Sequence, residues 1–272
     1  MQPDAHELAS LAADLTITAI EVAQVGPTPT WATFQNWLAR GYAADMAYLA
    51  RPDAVNRRAD PRNILPETRS VLVVAASYAG ASHSKLPSLH GRVSRYAWGA
   101  DYHRWLLHDL ETLVQRLAAT HGPFPYRCYV DTGPILERAW AQAAGLGWLG
   151  KNTNLIHPRL GSYLFLGIAL LGLELESVPP PDLPTCGDCT RCIDACPTGA
   201  LVAPGVLDAR RCIAVSRSNT VARFRKICVH CSATASSAAI RARRYVRGTT
   251  NRSPPTSTPP RHKRQRSICR DC

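Results

Sequence analysis

Cys186-Gly-Asp-Cys189-Thr-Arg-Cys192-Ile-Asp-Ala-Cys196-Pro197 has the spacing C-x2-C-x2-C-x3-C-P. This is the ligand grammar of a bacterial ferredoxin segment, in which three thiolates wrap one cubane and the fourth serves a second cluster. Structural zinc is the competing use of clustered cysteines. Zinc ribbons, however, pair two separated C-x2-C hooks, and four cysteines within eleven residues ending in Cys-Pro do not have that form. The stretch predicts a ferredoxin-like iron–sulfur module with Cys186, Cys189, Cys192 and Cys196 as ligands. Cys212 is placed to join Cys196 on a second cluster. Cys228-Val-His-Cys231 offers another C-x2-C hook, and Cys269-Arg-Asp-Cys272 a third. Cys128 stands alone in an apolar run and reads as a small buried side chain.

Upstream, residues 178–184 carry Pro179, Pro180, Pro181 and Pro184 and read as a linker. The expected organisation is a domain over residues 1–177, the cluster module over 178–215 and a tail over 216–272. The formal net charge of +12 is a property of the tail alone: residues 217–272 hold 14 Lys/Arg against one acid, Asp271, while residues 1–216 stand at −1. The tail is rich in Arg, Ser, Thr and Pro and has no sustained apolar period. Such a segment cannot bury enough surface to offset its chain entropy, so it is expected to be disordered.

Ten cysteines in a chain of 272 residues, crowded into cluster spacing, point to a reducing cytoplasm and not to a secreted disulfide scaffold. Met1–Ile20 carries Asp4, Glu7 and Asp14 and lacks the basic start and apolar core of a secretory signal. The most apolar run, Leu164–Leu173, is too short to span a bilayer.

In chain order, apolar spacing predicts a helix over Leu8–Val25 and a second helix, or a broken pair, over Thr30–Leu49. Arg57–Pro61 reads as a polar loop. Ser70–Tyr78, rich in valine, reads as a buried strand, and Ala79–Arg92 as a loop. Leu106, Leu110, Leu113, Val114 and Leu117 make Tyr102–Thr120 a long amphipathic helix. Tyr126–Val130 is expected as a buried strand, Leu136–Ala144 as a helix, and Asn154–His157 and Ser162–Leu170 as strands joined by a Pro/Gly turn. The fold class is thus α/β (α+β) followed by the ferredoxin-like module.

Three stretches could carry chemistry. Asp131-Thr132-Gly133-Pro134 sits where a strand ends; a carboxyl there serves either as a proton donor, if its pKa is raised, or as the cap of the next helix. Gly145-Leu-Gly-Trp-Leu-Gly150-Lys151-Asn152 has glycine and lysine at phosphate-loop spacing, but Asn152 stands where Mg²⁺ would need Ser or Thr. Its glycines could instead admit a bulky cofactor close to the backbone. Asp101 precedes the long helix as a cap, with His103 on the surface.

Taken together and in order, Arg58-Ala-Asp60-Pro61, Arg95-Tyr-Ala-Trp-Gly-Ala-Asp101-Tyr102-His103, Val130-Asp131-Thr132-Gly-Pro-Ile-Leu-Glu137-Arg138, Ala144–Asn152, Gly161–Gly167, Cys186–Pro197 and Leu207–Ile213 resemble the epoxyqueuosine reductases. The resemblance covers roughly residues 5–214. It implies reduction of epoxyqueuosine to queuosine at the wobble position of tRNA, with cobalamin and two [4Fe–4S] clusters as cofactors, one or two of them in this chain. It implies further that Asp131 is the proton donor and that Leu155, His157 and Leu166 line the cobalamin, with Arg58 and Ala97 as contacts. Cys186, Cys189 and Cys192 would hold the first cluster, and Cys196 and Cys212 would belong to the second. The implied partners are tRNA and an external electron donor, with no membrane, and the protein is expected to be a cytoplasmic monomer. The chain departs from the pattern after Ile213: Cys228 and Cys231 arrive early, and Ala235 and Ser236 stand where Cys and Pro belong. A reading frame shifted after Ile213 accounts for this, with a basic arm gripping tRNA phosphates as the rival. The other readings of the whole chain are a ferredoxin-type electron carrier without catalysis and a reductive dehalogenase-like enzyme acting on a small molecule.

Overall fold

The computed structural model describes residues 2–80 and 94–218. In chain order these form α1 (Ala5–Leu11), β1 (Ala19–Gln24), α2 (Trp31–Ala39), α3 (Pro52–Ala59), β2 (Ser70–Ser77), α4 (Tyr102–His121), β3 (Tyr126–Tyr129), α5 (Glu137–Ala143), β4 (Trp148–Leu149), β5 (Leu155–Ile156), β6 (Leu164–Leu171), α6 (Arg191–Asp194), β7 (Leu201–Ala203), β8 (Val206–Leu207) and α7 (Ile213–Ser218). Four strands make one antiparallel sheet in the order β1-β2-β6-β3.

Strand side chains alternate between faces, and β2 uses both. Leu72, Val74 and Ala76 pack with α4, while Val71, Val73 and Ala75 pack with Trp140 and Ala141 of α5. This explains why β2 reads as an unbroken apolar run although its sheet is antiparallel. On α4, Leu106, Leu110, Leu113, Val114 and Leu117 are wholly buried, each leucine contributing roughly 1.5–3 kcal/mol of transfer free energy. Gly167 of β6 lets that helix come close: a Cβ there would lie 2.9 Å from Val74 Cγ2 and 3.2 Å from Leu110 Cδ2.

The cysteine-bearing segment has its own small core of Cys192, Cys196, Ala200, Leu201 and Cys212. It docks on the larger layer through polar contacts. Trp37 Nε1 donates to the Leu207 carbonyl at 2.6 Å, and Ala209 N–H to the Tyr42 carbonyl at 3.0 Å. Lys151 is held twice: its Nζ donates to the Gly187 carbonyl at 2.6 Å, and its own carbonyl accepts from Gly205 N–H at 3.0 Å.

Several sequence expectations are corrected. The helix expected over Leu8–Val25 stops at Leu11; residues 19–24 form edge strand β1 instead. Pairing with β2 buries Val22 and Ala23 on opposite faces, which outweighs local helical spacing. Arg57 and Arg58 are not in a loop but in the last turn of α3, which Pro52 and Asp53 open and two basic residues close in keeping with the helix dipole. β3 is a half-buried edge strand rather than a core one. The glycine-rich stretch contains β4, which pairs with β5 outside the main sheet. Thr30–Leu49 is indeed broken, into α2 and a 3-10 turn at Ala47–Leu49. Helix α7 runs to Ser218, three residues into the stretch expected as tail. Cys228, Cys231, the Cys269–Cys272 hook, the rest of the tail and most of the Ala79–Arg92 loop lie outside the described residues.

Candidate active site

Asp131 lies just beyond β3, and it does not cap the next helix. Helix α5 begins six residues later, with Leu136 at the cap position and no side-chain cap bond. The N–H of Thr132 donates to the Val130 carbonyl at 2.7 Å, and Asp131 between them has φ +61°. A three-residue turn with its central residue in the left-handed region is rare and strained. For a non-glycine residue such strain is of the order of ~1–3 kcal/mol and persists where the surroundings over-determine it.

Those surroundings come from three elements. From the first turn of α4, the Tyr102 hydroxyl donates to Asp131 Oδ2 at 2.6 Å, and His103 Nε2 lies 3.4 Å from the same oxygen. From α5, Glu137 Oε1 accepts the Asp131 N–H at 2.5 Å. From β3, the ring of Tyr129 underlies Gly133, where a Cβ would come within 2.5 Å of Tyr129 Cδ1. The Asp131 carboxyl itself stays 60 % exposed.

Tyr102 and His103 are themselves fixed. Asp101 caps α4 by accepting the His103 N–H at 3.1 Å, as its position in the sequence implied, and its carboxylate also lies 2.8 Å from His103 Nδ1. The Tyr102 ring stacks on Phe165 of β6 (4.0 Å, 9°), and Tyr78, just past the end of β2, also stacks on Phe165 (4.4 Å, 30°). Burial, together with the hydrogen bond to Asp131, pushes the Tyr102 phenol far above its ordinary range, so it stays a donor. Glu137 is pushed up to about 8, first by burial and then by the charge of Asp131. Near neutral pH it is therefore largely uncharged.

His157 closes a tight loop. It forms a two-bond bridge with Gly161 (3.0 Å each way), and its Nδ1 accepts the N–H groups of Arg159 and Leu160 at 3.0 and 3.1 Å. Burial and the nearby Arg159 lower its pKa, and occupation of Nδ1 as an acceptor places the ring proton of the neutral form on Nε2. Leu155 is buried and Leu166 half-buried in the core on the α5 side of the sheet. Around this loop three polar atoms are buried with no hydrogen-bond partner: Trp148 Nε1, Asn152 Nδ2 and Ser162 Oγ. Buried donors are rarely left so.

Arg58 is 8 % exposed; it donates to the Ala54 carbonyl at 3.1 Å and lies over the Phe34 ring. Ala97 is exposed in a 3-10 turn, beside Arg95, whose guanidinium lies 4.8 Å from the centre of the Tyr163 ring. No contact joins Arg58 or Ala97 to Asp131. The structure thus brings Asp131 together with Tyr102, His103 and Glu137. The last three were not singled out as site residues by sequence, because their meeting depends on the packing of α4 and α5 on opposite faces of the sheet.

In the cysteine loop, Cys186 and Cys189 are partly exposed and Cys192, Cys196 and Cys212 are buried. Burial raises the Cys192 thiol, and the neighbouring Cys186 and Cys189 add to this. Among the described residues no group of three or more His, Cys, Asp or Glu side chains is gathered as tightly as a single metal ion needs. A cubane holds its thiolates further apart than one ion does. Cys128 is half-buried behind α4, with its thiol pushed up to about 12 by burial and by Glu111. No described helix is long and apolar enough to cross a membrane.

Comparison with known proteins identifies relatives of the whole region. The family model "Epoxyqueuosine reductase QueG, DUF1730" matches residues 58–132, and "4Fe-4S double cluster binding domain" matches residues 185–227. The chain is 47 % identical over 180 residues to an epoxyqueuosine reductase of Synechocystis, covering 66 % of this chain and 61 % of that one. It is 44 % identical over 217 residues to one of Gloeobacter violaceus, covering 79 % and 66 %. An epoxyqueuosine reductase crystal structure with an epoxyqueuosine-modified tRNA-Tyr stem loop superimposes with a TM-score of 0.70 at 31 % identity, covering 77 % of this chain and 56 % of that one. The chain therefore spans about three-fifths of the length of these relatives. By sequence and by fold, it belongs to the epoxyqueuosine reductase family.

Proposed function

We propose that the chain reduces epoxyqueuosine to queuosine in tRNA, an oxidoreductase reaction of the cytoplasm, with Asp131 as the proton donor. The observation that carries this is the Asp131 turn: an exposed carboxyl on a strained backbone, the side chain held by Tyr102 and His103 and the N–H by Glu137, within a region whose relatives bear this name.

Opening an epoxide to an alkene removes its oxygen, which leaves carrying negative charge and must be protonated. A carboxyl at the mouth of the site, steered by a phenol and an imidazole, is suited to deliver that proton. Tyr102 and His103 hold Oδ2, leaving Oδ1 for the substrate. Asp101 fixes the orientation of the His103 ring.

The residues present fit cobalamin. Trp148 Nε1, Asn152 Nδ2 and Ser162 Oγ are buried donors without partners, and His157 on the same loop carries a further donor, its Nε2–H. Such donors suit the amide side chains of a corrin, and Leu155 and Leu166 would line its apolar face. Arg58 and Ala97 stay as further proposed contacts. When bound, cobalamin supplies the reducing electrons for the epoxide. Cys186, Cys189 and Cys192 would hold one [4Fe–4S] cluster, and Cys196 and Cys212 would contribute to a second, with Cys228 and Cys231 as further ligands. An external donor would feed these clusters.

The test is anaerobic reconstitution followed by turnover of epoxyqueuosine-containing tRNA. Queuosine should form with cobalamin and not without it, and iron should approach about eight atoms per chain if two clusters assemble. Tight cobalamin binding without turnover of this tRNA would sink the substrate assignment. Loss of both would leave an electron carrier.

A further inference from the structure

We propose that Glu137 is the positioning residue of the Asp131 turn: its carboxyl group holds the Asp131 backbone N–H and so keeps the turn in the form that presents the Asp131 side chain to Tyr102 and His103.

Three observations converge on this. The Asp131 N–H is available to Glu137 because the turn bond of the segment runs one residue later, from Thr132 N–H to the Val130 carbonyl. That N–H points into the protein toward α5, and Glu137 Oε1 meets it at 2.5 Å. The left-handed conformation of Asp131, which an L-residue adopts reluctantly, needs a restraint from outside the turn. Tyr102 and His103 restrain the side chain alone. Val130, 2 % exposed, anchors the preceding residue, and the Tyr129 ring lies under Gly133 on the far side. The backbone of Asp131 itself is caught by Glu137.

Glu137 suits this duty because it stands in the first turn of α5, between Leu136 and the buried Ala139 and Trp140. The α5 core fixes its Cα, so its reach back to residue 131 is set by the fold. Its largely uncharged state near neutral pH lets it sit beside the Asp131 carboxyl without strong repulsion. Glutamine in its place keeps an oxygen acceptor of the same reach; alanine removes it.

That the turn serves catalysis rests on the function proposed above; the positioning itself does not. The test therefore reads the backbone. Hydrogen exchange followed by mass spectrometry on the full chain should show the peptide covering residues 130–135 with two protected amides in the wild type, those of Asp131 and Thr132. In Glu137→Ala the Asp131 amide should exchange at least tenfold faster, and in Glu137→Gln within threefold of wild type. The peptide of β2 should stay protected in all three. In parallel, Glu137→Ala should lower kcat on epoxyqueuosine tRNA with KM unchanged, and Glu137→Gln should restore it. A wild-type Asp131 amide that exchanges at an unprotected rate overturns the proposal, whether or not Glu137→Ala folds, and so does a folded Glu137→Ala protein that exchanges like wild type or a Glu137→Gln protein that exchanges as fast as Glu137→Ala. The expected exchange pattern across the three proteins with no turnover in any would instead count against the substrate.

Discussion

Replacing Glu137 by Gln should flatten a pH dependence of stability that the wild type carries. The Glu137 carboxyl is raised from 4.5 to about 8 by burial, with the charge of Asp131 adding to this and the Asp131 N–H and Arg138 opposing it. The folded protein therefore keeps this proton to higher pH than the unfolded chain does. In the window from about pH 4.5 to 8 the folded state binds more protons, so stability falls as pH rises, by at most about 1.4 kcal/mol per pH unit for one site. Integrated over the window, the ceiling is ~5 kcal/mol. The carboxyl is partly open to solvent and coupled to Asp131, which reduces this to roughly 1–2 kcal/mol. Glutamine does not titrate, and its carbonyl still accepts the Asp131 N–H. Urea unfolding, followed by tryptophan fluorescence, should give the two proteins similar stabilities near pH 5 and a Gln variant that is more stable by roughly 1–2 kcal/mol near pH 8.5, worth a few degrees in Tm. Titrations of groups that do not interact with Glu137 cancel in the difference between the two proteins. A difference that does not change between the two pH values would refute the account of Glu137 as a carboxyl protonated by its surroundings.

Three other changes test separate parts of the structure. Tyr102→Phe removes the 2.6 Å bond to Asp131 Oδ2 and keeps the stack on Phe165; turnover should fall about tenfold, with a stability loss of ~0.5–1.5 kcal/mol, and steady-state kinetics with a urea titration would show both. Gly167→Ala places a methyl 2.9 Å from Val74 Cγ2 between β2 and α4, which should cost ~1–3 kcal/mol through overpacking, read from the urea midpoint. Cys192→Ser removes a buried thiol of the first proposed cluster; iron content after anaerobic reconstitution should fall by about four atoms, while Cys128→Ser should leave it unchanged.

What could be read in the sequence was whatever depends on neighbours along the chain. The stripe of α4 and the valine run of β2 report their burial directly, and Asp101 announces its cap by position. The failures share a cause. Residues 19–24 became a strand because β2 offered an edge, and β4 became a strand because Leu155 and Ile156 came to lie beside it. Pairing partners far along the chain override local spacing. The same holds for the site. Asp131 stood out by its place after a strand, yet that Leu136 and not Asp131 stands at the cap of α5, and that Tyr102, 29 residues away, meets its carboxyl, follows from the packed fold. Glu137 looks like an ordinary acidic residue in a first helical turn, where the dipole favours it. Nothing along the chain shows that its oxygen reaches back to residue 131.

The sheet explains why this meeting point exists. β6 pairs with both β2 and β3, and Phe165 on β6 carries the stack that fixes Tyr102. Asp131 follows directly from the end of β3, while Ile168 and Leu170 of β6 share a core with Trp140 of α5. One strand thus sets the distance between the helix that holds the Asp131 carboxyl and the helix that holds its backbone. A change that shifts β6 against either helix should disturb the turn without touching it. Gly167 is the place where this is most direct, since a methyl there presses on Leu110 and hence on α4. If the sheet does transmit position in this way, Gly167→Ala should speed exchange of the 130–135 peptide as well as lower stability. If it lowers stability and leaves that exchange rate unchanged, the turn is held by its local bonds alone.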